Sequence, residues 1–157
     1  MVINHYFFMS GRDCLIKSLI VFIFINVILK HYFLTIPYSY NAAHSPLQSE
    51  PEWEQKCDHI PHLWRRQFCG MVVGLDQAIA DVVESARATL GDNTVVVVSP
   101  DNGGSTWYGG LNAPLRSGKL TPFEGGVRVP AFAVDFSGRY MNKELFFNYD
   151  NLSNQEL

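Results

Sequence analysis

The chain has 157 residues, an ordinary size for one domain, and its 47% hydrophobic and 13% aromatic content excludes a disordered chain. A formal charge of −3 with its charges scattered offers no basic stripe, so nothing points to nucleic acid as a partner. Three cysteines leave one unpaired if any disulfide forms.

In chain order the first element is the apolar run Ser18 to Leu29, broken only by Ser18 and Asn26 and flanked by Arg12, Lys17 and Lys30. About a dozen residues fall short of the ~20 that span a bilayer but match the apolar part of a signal peptide. No small-x-small cleavage site follows, and cleavage near Ala42-Ala43 would remove the next strand. Residues 1–31 therefore form an apolar leader with three readings: a misjoined start, a signal or anchor segment that leaves membrane association open, or a buried strand.

The β-prone run Tyr32 to Tyr38 leads into the loop Tyr40-Asn41-Ala42-Ala43-His44-Ser45-Pro46-Leu47-Gln48. A loop histidine is usually unremarkable, but an imidazole titrating near neutrality can serve as a general acid. Further on, Cys57, His59, His62 and Cys69 match no standard zinc spacing. Cys57 and Cys69 can instead pair and close a short loop, as an oxidising compartment permits.

Arg65 to Leu90 reads as a helix, with Phe68, Met71, Val72, Leu75, Ile79, Val82, Val83 and Ala86 at helical spacing. The next element, Thr94 to Val98, is five consecutive β-branched residues between Gly91-Asp92-Asn93 and Ser99-Pro100. That pattern predicts a parallel strand covered on both faces, and such strands bind ligands at their carboxyl ends. Asp101 and Asn102 stand there, a carboxylate and an amide oxygen suited to Ca²⁺ or Mg²⁺. Gly103 and Gly104 allow a tight turn.

A second strand is expected over Val127 to Val134, after a turn holding Glu124 and Arg128, which can pair with each other. Trp53, Trp64 and Trp107 read as packing residues, although Trp107 and Tyr108, beside the Asp101 loop, could also line a substrate entrance. The chain then runs through the polar turn Arg139 to Glu144 to a glycosylation sequon, Asn151-Leu152-Ser153.

The ordered series Asp101-Asn102-Gly103-Gly104, Gly109-Gly110-x-Asn112-x-Pro114-Leu115-Arg116, Gly118-Lys119 and Glu124-Gly125-Gly126-Val127-Arg128 resembles the sulfatase family, in particular its arylsulfatase B type. His44 before Pro46-Leu47-Gln48 extends the resemblance, which runs from Tyr32 to Val134. It implies an α/β, alkaline-phosphatase-like fold, here partial, with a mostly parallel sheet flanked by helices, and residues 32–157 as a partial sulfatase catalytic domain. It further implies that Asp101 and Asn102 ligate one divalent cation, usually Ca²⁺. By the same likeness Lys119 contacts the substrate sulfate, and His44 meets the leaving-group oxygen. The substrate would be a sulfated small molecule or glycan, and the compartment lysosomal or secreted.

The family's nucleophile is a formylglycine made from the cysteine of a Cys-x-Pro-x-Arg motif. Here Cys14 is followed by Leu-Ile-Lys, Cys57 by Asp-His-Ile and Cys69 by Gly-Met-Val, so the motif is absent. The family's Asp-Asp ligand pair and Lys-x-His pair are not found upstream of His44 either. The chain alone is therefore expected to be inactive, an interior piece of a sulfate-ester hydrolase. The alternative is a non-catalytic relic that binds sulfated glycans. A phosphatase or phosphodiesterase of the same superfamily fits less well, since such sites set Asp and His around two zinc ions.

Overall fold

The computed structural model describes residues 21–29, 32–139 and 145–147. At its centre is the helix α2 (Leu63–Leu90), preceded by the short helix α1 (Pro51–Gln55). The apolar periodicity places Phe68, Val72, Leu75, Ile79, Val83 and Ala86 in the core, with Met71 and Val82 packed at its margin. α2 begins two residues before the sequence expectation because His62 caps it, its side chain accepting from the Arg65 amide at 3.4 Å. Gly91 ends it at φ 71°, donating its N–H to the Arg87 carbonyl at 3.1 Å.

Among the described residues five strands form one sheet in the order β2-β1-β3-β4-β5, namely β1 (Val21–Leu29), β2 (Tyr32–Tyr40), β3 (Thr94–Pro100), β4 (Ala131–Asp135) and β5 (Leu145–Phe147). Every pairing is antiparallel, which corrects the expected mostly parallel sheet. The β-branched run of β3 could not distinguish these cases, because it reports burial and not the direction of its neighbours. In the folded chain Thr94, Val96 and Val98 are buried while Val95 and Val97 are only half-buried, the alternation of a strand with one closed face. Val96 and Val98 stand opposite Val134 and Phe132 of β4, and all four belong to the layer packed with α2.

β2 and β3 still point the same way, separated by β1, and α2 supplies the crossover that two such strands require. β1 occupies most of the apolar run that the sequence left between leader, anchor and strand. Residues 1–20 lie outside the described residues, as does the Asn151 sequon. Among the described residues no helix is long and apolar enough to cross a membrane.

Cys57 and Cys69 form a disulfide with Cα atoms 6.1 Å apart, tying the residues after α1 to the second turn of α2. Both cysteines are fully buried. Trp53 of α1 packs beside α2, where Gly74 has no side chain to obstruct it, and Lys56 lies 4.4 Å from its ring centroid. The packing role expected of Trp64 and Trp107 is not what the structure shows, because both are exposed. β4 begins four residues later than expected: Val127 closes the helical turn α3 (Glu124–Val127), and Pro130, which has no N–H for a ladder, precedes the strand.

Candidate functional site

The register places two loops at one end of the sheet. Val21 of β1 pairs with Tyr40 on one side and Pro100 on the other, so β2 and β3 finish level with each other. With one strand between them, their ends stand about 10 Å apart, twice the ordinary strand spacing. His44 follows the first end by four residues, and Asp101 and Asn102 follow the second immediately.

The His44 loop is seated on the core. Ala43 is buried within the apolar cluster, Leu47 packs against it, and the Gln48 amide donates to Met71 Sδ at 3.4 Å. His44 is half-buried, with Nδ1 2.8 Å from the Ser45 carbonyl oxygen. A carbonyl can only accept, so this contact is made by the Nδ1–H form of the ring and leaves Nε2 outside it.

The segment from Asp101 to Arg128 has little regular structure, a single 3-10 turn (Thr106–Tyr108) and α3, yet its backbone is closely tied. The Gly103 amide donates to the Gly126 carbonyl at 2.8 Å, and the Gly125 amide to the Arg116 carbonyl at 2.8 Å. These strands of loop cross so closely that a Cβ on Gly103 would collide with the Gly125 carbonyl oxygen, and one on Gly125 with that of Ser117. This explains one glycine of the pair at each end of the segment, Gly103 and Gly125.

Asn112, part of the sequence motif but given no task there, is the internal brace. It is 3% exposed, its Oδ1 accepts from the Gly104 amide at 2.8 Å and its Nδ2 donates to the Gly104 carbonyl at 2.9 Å. The amide thus satisfies both backbone groups of one residue, as a neighbouring strand would. The Lys119 amide donates to the same Gly104 carbonyl at 3.1 Å, which fixes Lys119 relative to the metal-candidate end of β3. Arg65 of α2 holds the outer part of the loop through a bond from Nη1 to the Gly109 carbonyl.

Asp101 is exposed and Asn102 half-buried. Asn102 Oδ1 is shut off from solvent and accepts no hydrogen bond among the described residues. An orphaned acceptor of that kind calls for a partner, and a hard cation is one that suits an amide oxygen beside a carboxylate. Among the described residues, no group of three or more His, Cys, Asp or Glu gathers as a metal cluster. The fit is therefore that of a partial ligand set. Lys119 is half-buried, and its ammonium makes no ion pair among the described residues. Arg128 meets Glu124 at 3.1 Å, the pairing expected within the turn before β4.

The family described as Sulfatase matches residues 31–138. Arylsulfatase J of Mus musculus is 38% identical over 95 residues, which cover 60% of this chain and 16% of that protein. N-acetylgalactosamine-6-sulfatase of Homo sapiens is 29% identical over 115 residues, 70% of this chain and 21% of its own length. Among solved structures, the crystal structure of Ps i-CgsB in complex with k-i-k-neocarrahexaose superposes with a TM-score of 0.56 at 39% identity, over 59% of this chain and 21% of that one.

Proposed function

Since this chain belongs to the sulfatase family, with that family's α/β, alkaline-phosphatase-like fold, we propose that its loop region from Asp101 to Lys119, with His44, is the sulfate-holding part of a site for sulfate-ester hydrolysis. The observation that carries the reading is the buried, unsatisfied Asn102 Oδ1 beside Asp101, at the same sheet end as the His44 loop.

Asp101 and Asn102 would hold one divalent cation, Ca²⁺ by its preference for hard oxygen donors. When bound, that cation offsets negative charge on the sulfate oxygens. Lys119, held through its backbone to Gly104, sets an ammonium against the same oxygens, where charge accumulates as the ester S–O bond breaks. His44 delivers the proton at Nε2 to the departing ester oxygen, while its Nδ1–H stays on the Ser45 carbonyl and holds the ring in orientation.

The residues present do not fit a formylglycine, because no cysteine of the sequence begins a Cys-x-Pro-x-Arg motif. No attacking step is assigned to this chain, and as it stands it is inactive. Two ligands, against the roughly six to eight oxygens Ca²⁺ takes, also make its cation affinity weak. A second reading, a relative that holds sulfated glycan without turning it over, is favoured by the same missing cysteine. The disulfide suits an oxidising compartment, lysosomal or secreted.

The test is twofold. Full-length sequencing of the transcript should find an in-frame Cys-x-Pro-x-Arg upstream if the chain is part of a working hydrolase, and none if it is a binding relic. In parallel, purified chain is assayed on an aryl sulfate, where no product is expected. Cation-dependent release of product that disappears in Lys119→Ala would overturn the claim of inactivity.

A further inference from the structure

Of the chain's asparagines only Asn102 is followed by glycine. That pair is chemically labile. The backbone nitrogen after an asparagine can attack the side-chain carbonyl carbon, and glycine makes the attack easiest because no Cβ crowds the approach. Gly103 N gives up its proton to hydroxide and bonds to Asn102 Cγ, the Cγ–Nδ2 bond breaks, and Nδ2 takes a proton from water and leaves as ammonia. Water then opens the cyclic imide at either carbonyl, leaving aspartate or a β-linked aspartate at that position. The net change is amide plus water to acid plus ammonia, with no oxidant or reductant.

The fold opposes this reaction at the attacking nitrogen. Gly103 is buried, and its N–H donates to the Gly126 carbonyl at 2.8 Å. To reach Asn102 Cγ, the peptide between Asn102 and Gly103 has to turn toward the side chain and lose that hydrogen, and either change breaks the bond. The crossing leaves no slack for the turn, because the Gly125 carbonyl oxygen stands where a Cβ of Gly103 would be. Gly104, next in the chain, is pinned by Asn112 through both its N–H and its C=O, at 2.8 and 2.9 Å. The side chain under attack is less restrained, since Asn102 Oδ1 accepts no hydrogen bond among the described residues. Asn102 is therefore guarded from one side, by the closure of the loop on Gly126 and Asn112.

We propose that Asn102 is a site of spontaneous deamidation, which the closed loop suppresses and which converts when the bond from Gly103 to Gly126 opens. The chemistry needs only water and is independent of whether the loop holds sulfate. Its consequence rests on the reading given above: the change falls on the proposed cation pair, exchanging a neutral amide oxygen for a second carboxylate. In the β-linked product it also inserts a carbon into the backbone ahead of Gly103.

The experiment incubates the full 157-residue chain at mildly alkaline pH and follows aspartate and β-linked aspartate in place of Asn102 by peptide mass spectrometry, with the chain unfolded in urea as the reference. Asn93 and Asn112, followed by Thr94 and Ala113, are internal controls and should lag behind Asn102 in the unfolded chain. Native conversion should be slower than unfolded conversion by about tenfold or more, since the reactive arrangement is reached only through local opening. Asn112→Ala, which removes the brace on Gly104, should raise the native rate about tenfold. In wild type, at urea concentrations below the unfolding transition, conversion should rise in step with hydrogen exchange of the Gly103 amide, a measurement that stands even where the variant fails to fold. Equal rates in the native and unfolded chain overturn the guard, and an Asn102 that outlasts its controls in the unfolded chain overturns the site itself. Conversion that does not follow Gly103 exchange overturns the proposal too, as does a folded Asn112→Ala that converts no faster than wild type. Each of these outcomes leaves the sulfate-holding role of Lys119 to its own test.

Discussion

Leu75, Ile79, Val96 and Val98 sit in a layer closed by apolar contact between α2 and the sheet, whereas Gly103, Asn112 and Gly125, only a short way along the chain, are held by hydrogen bonds and by backbone crossings. The first region gains from burial of area, which any well-fitting apolar side chain can supply. The second buries little apolar surface and depends on partners at fixed positions, so Gly103, Asn112 and Gly125 cannot be exchanged for residues of other shape. Freed from forming a core, it leaves Trp107 and Leu120, 81% and 95% exposed, on the outside. The chain thus separates a layer that confers stability from a loop that presents chemistry.

The separation can be broken most forcefully from the apolar side. Leu75→Ala removes a side chain that is 1% exposed and should cost about 2–5 kcal/mol, read as a shifted denaturation midpoint, with Leu75→Met costing under about 1.5 kcal/mol. Protection of both regions against hydrogen exchange should fall together, because the loop stands on the layer. A smaller and local effect is expected of Asn112→Ala. It leaves the Gly104 N–H unpartnered and its C=O with the Lys119 amide alone, at about 1–3 kcal/mol, and exchange should quicken at the Gly104 and Lys119 amides while the α2 amides stay protected. If Asn112→Ala instead lowers the denaturation midpoint as far as Leu75→Ala does, the two regions are one cooperative unit and the distinction fails. The smallest effect belongs to Glu124→Gln in α3, whose surface pair with Arg128 contributes only about 0.3–0.5 kcal/mol and should contribute less at high salt.

How much of this was readable before folding follows from the same contrast. The helix, its buried stripe and the β3 run were legible in the sequence, since periodicity is a property of neighbouring residues. The pairing of Glu124 with Arg128 was legible for the same reason, the two being one helical turn apart. The residues of the proposed site were legible as chemical types in a fixed order, and two of them, Asp101 and Asn102, directly follow β3. The task of Asn112 was not, because its partner Gly104 is eight positions away and is reached only when the loop closes. Nor was the exposure of Trp64 and Trp107, since aromatic residues read as packing until their surroundings are known.

What the amino acids dictated unaided was local: where the chain turns, which face of α2 is apolar, and which loops carry the carboxylate, amide, ammonium and imidazole groups of the proposed site. The sense of the sheet, the alignment of the β2 and β3 ends on either side of Val21, and the crossing of Gly103 with Gly125 were settled by the tertiary structure. Each of these depends on segments far apart in sequence meeting at one place. Local propensity fixes how a segment is shaped, while the identity of its neighbour follows from which arrangement buries the common apolar layer and satisfies the backbone at once.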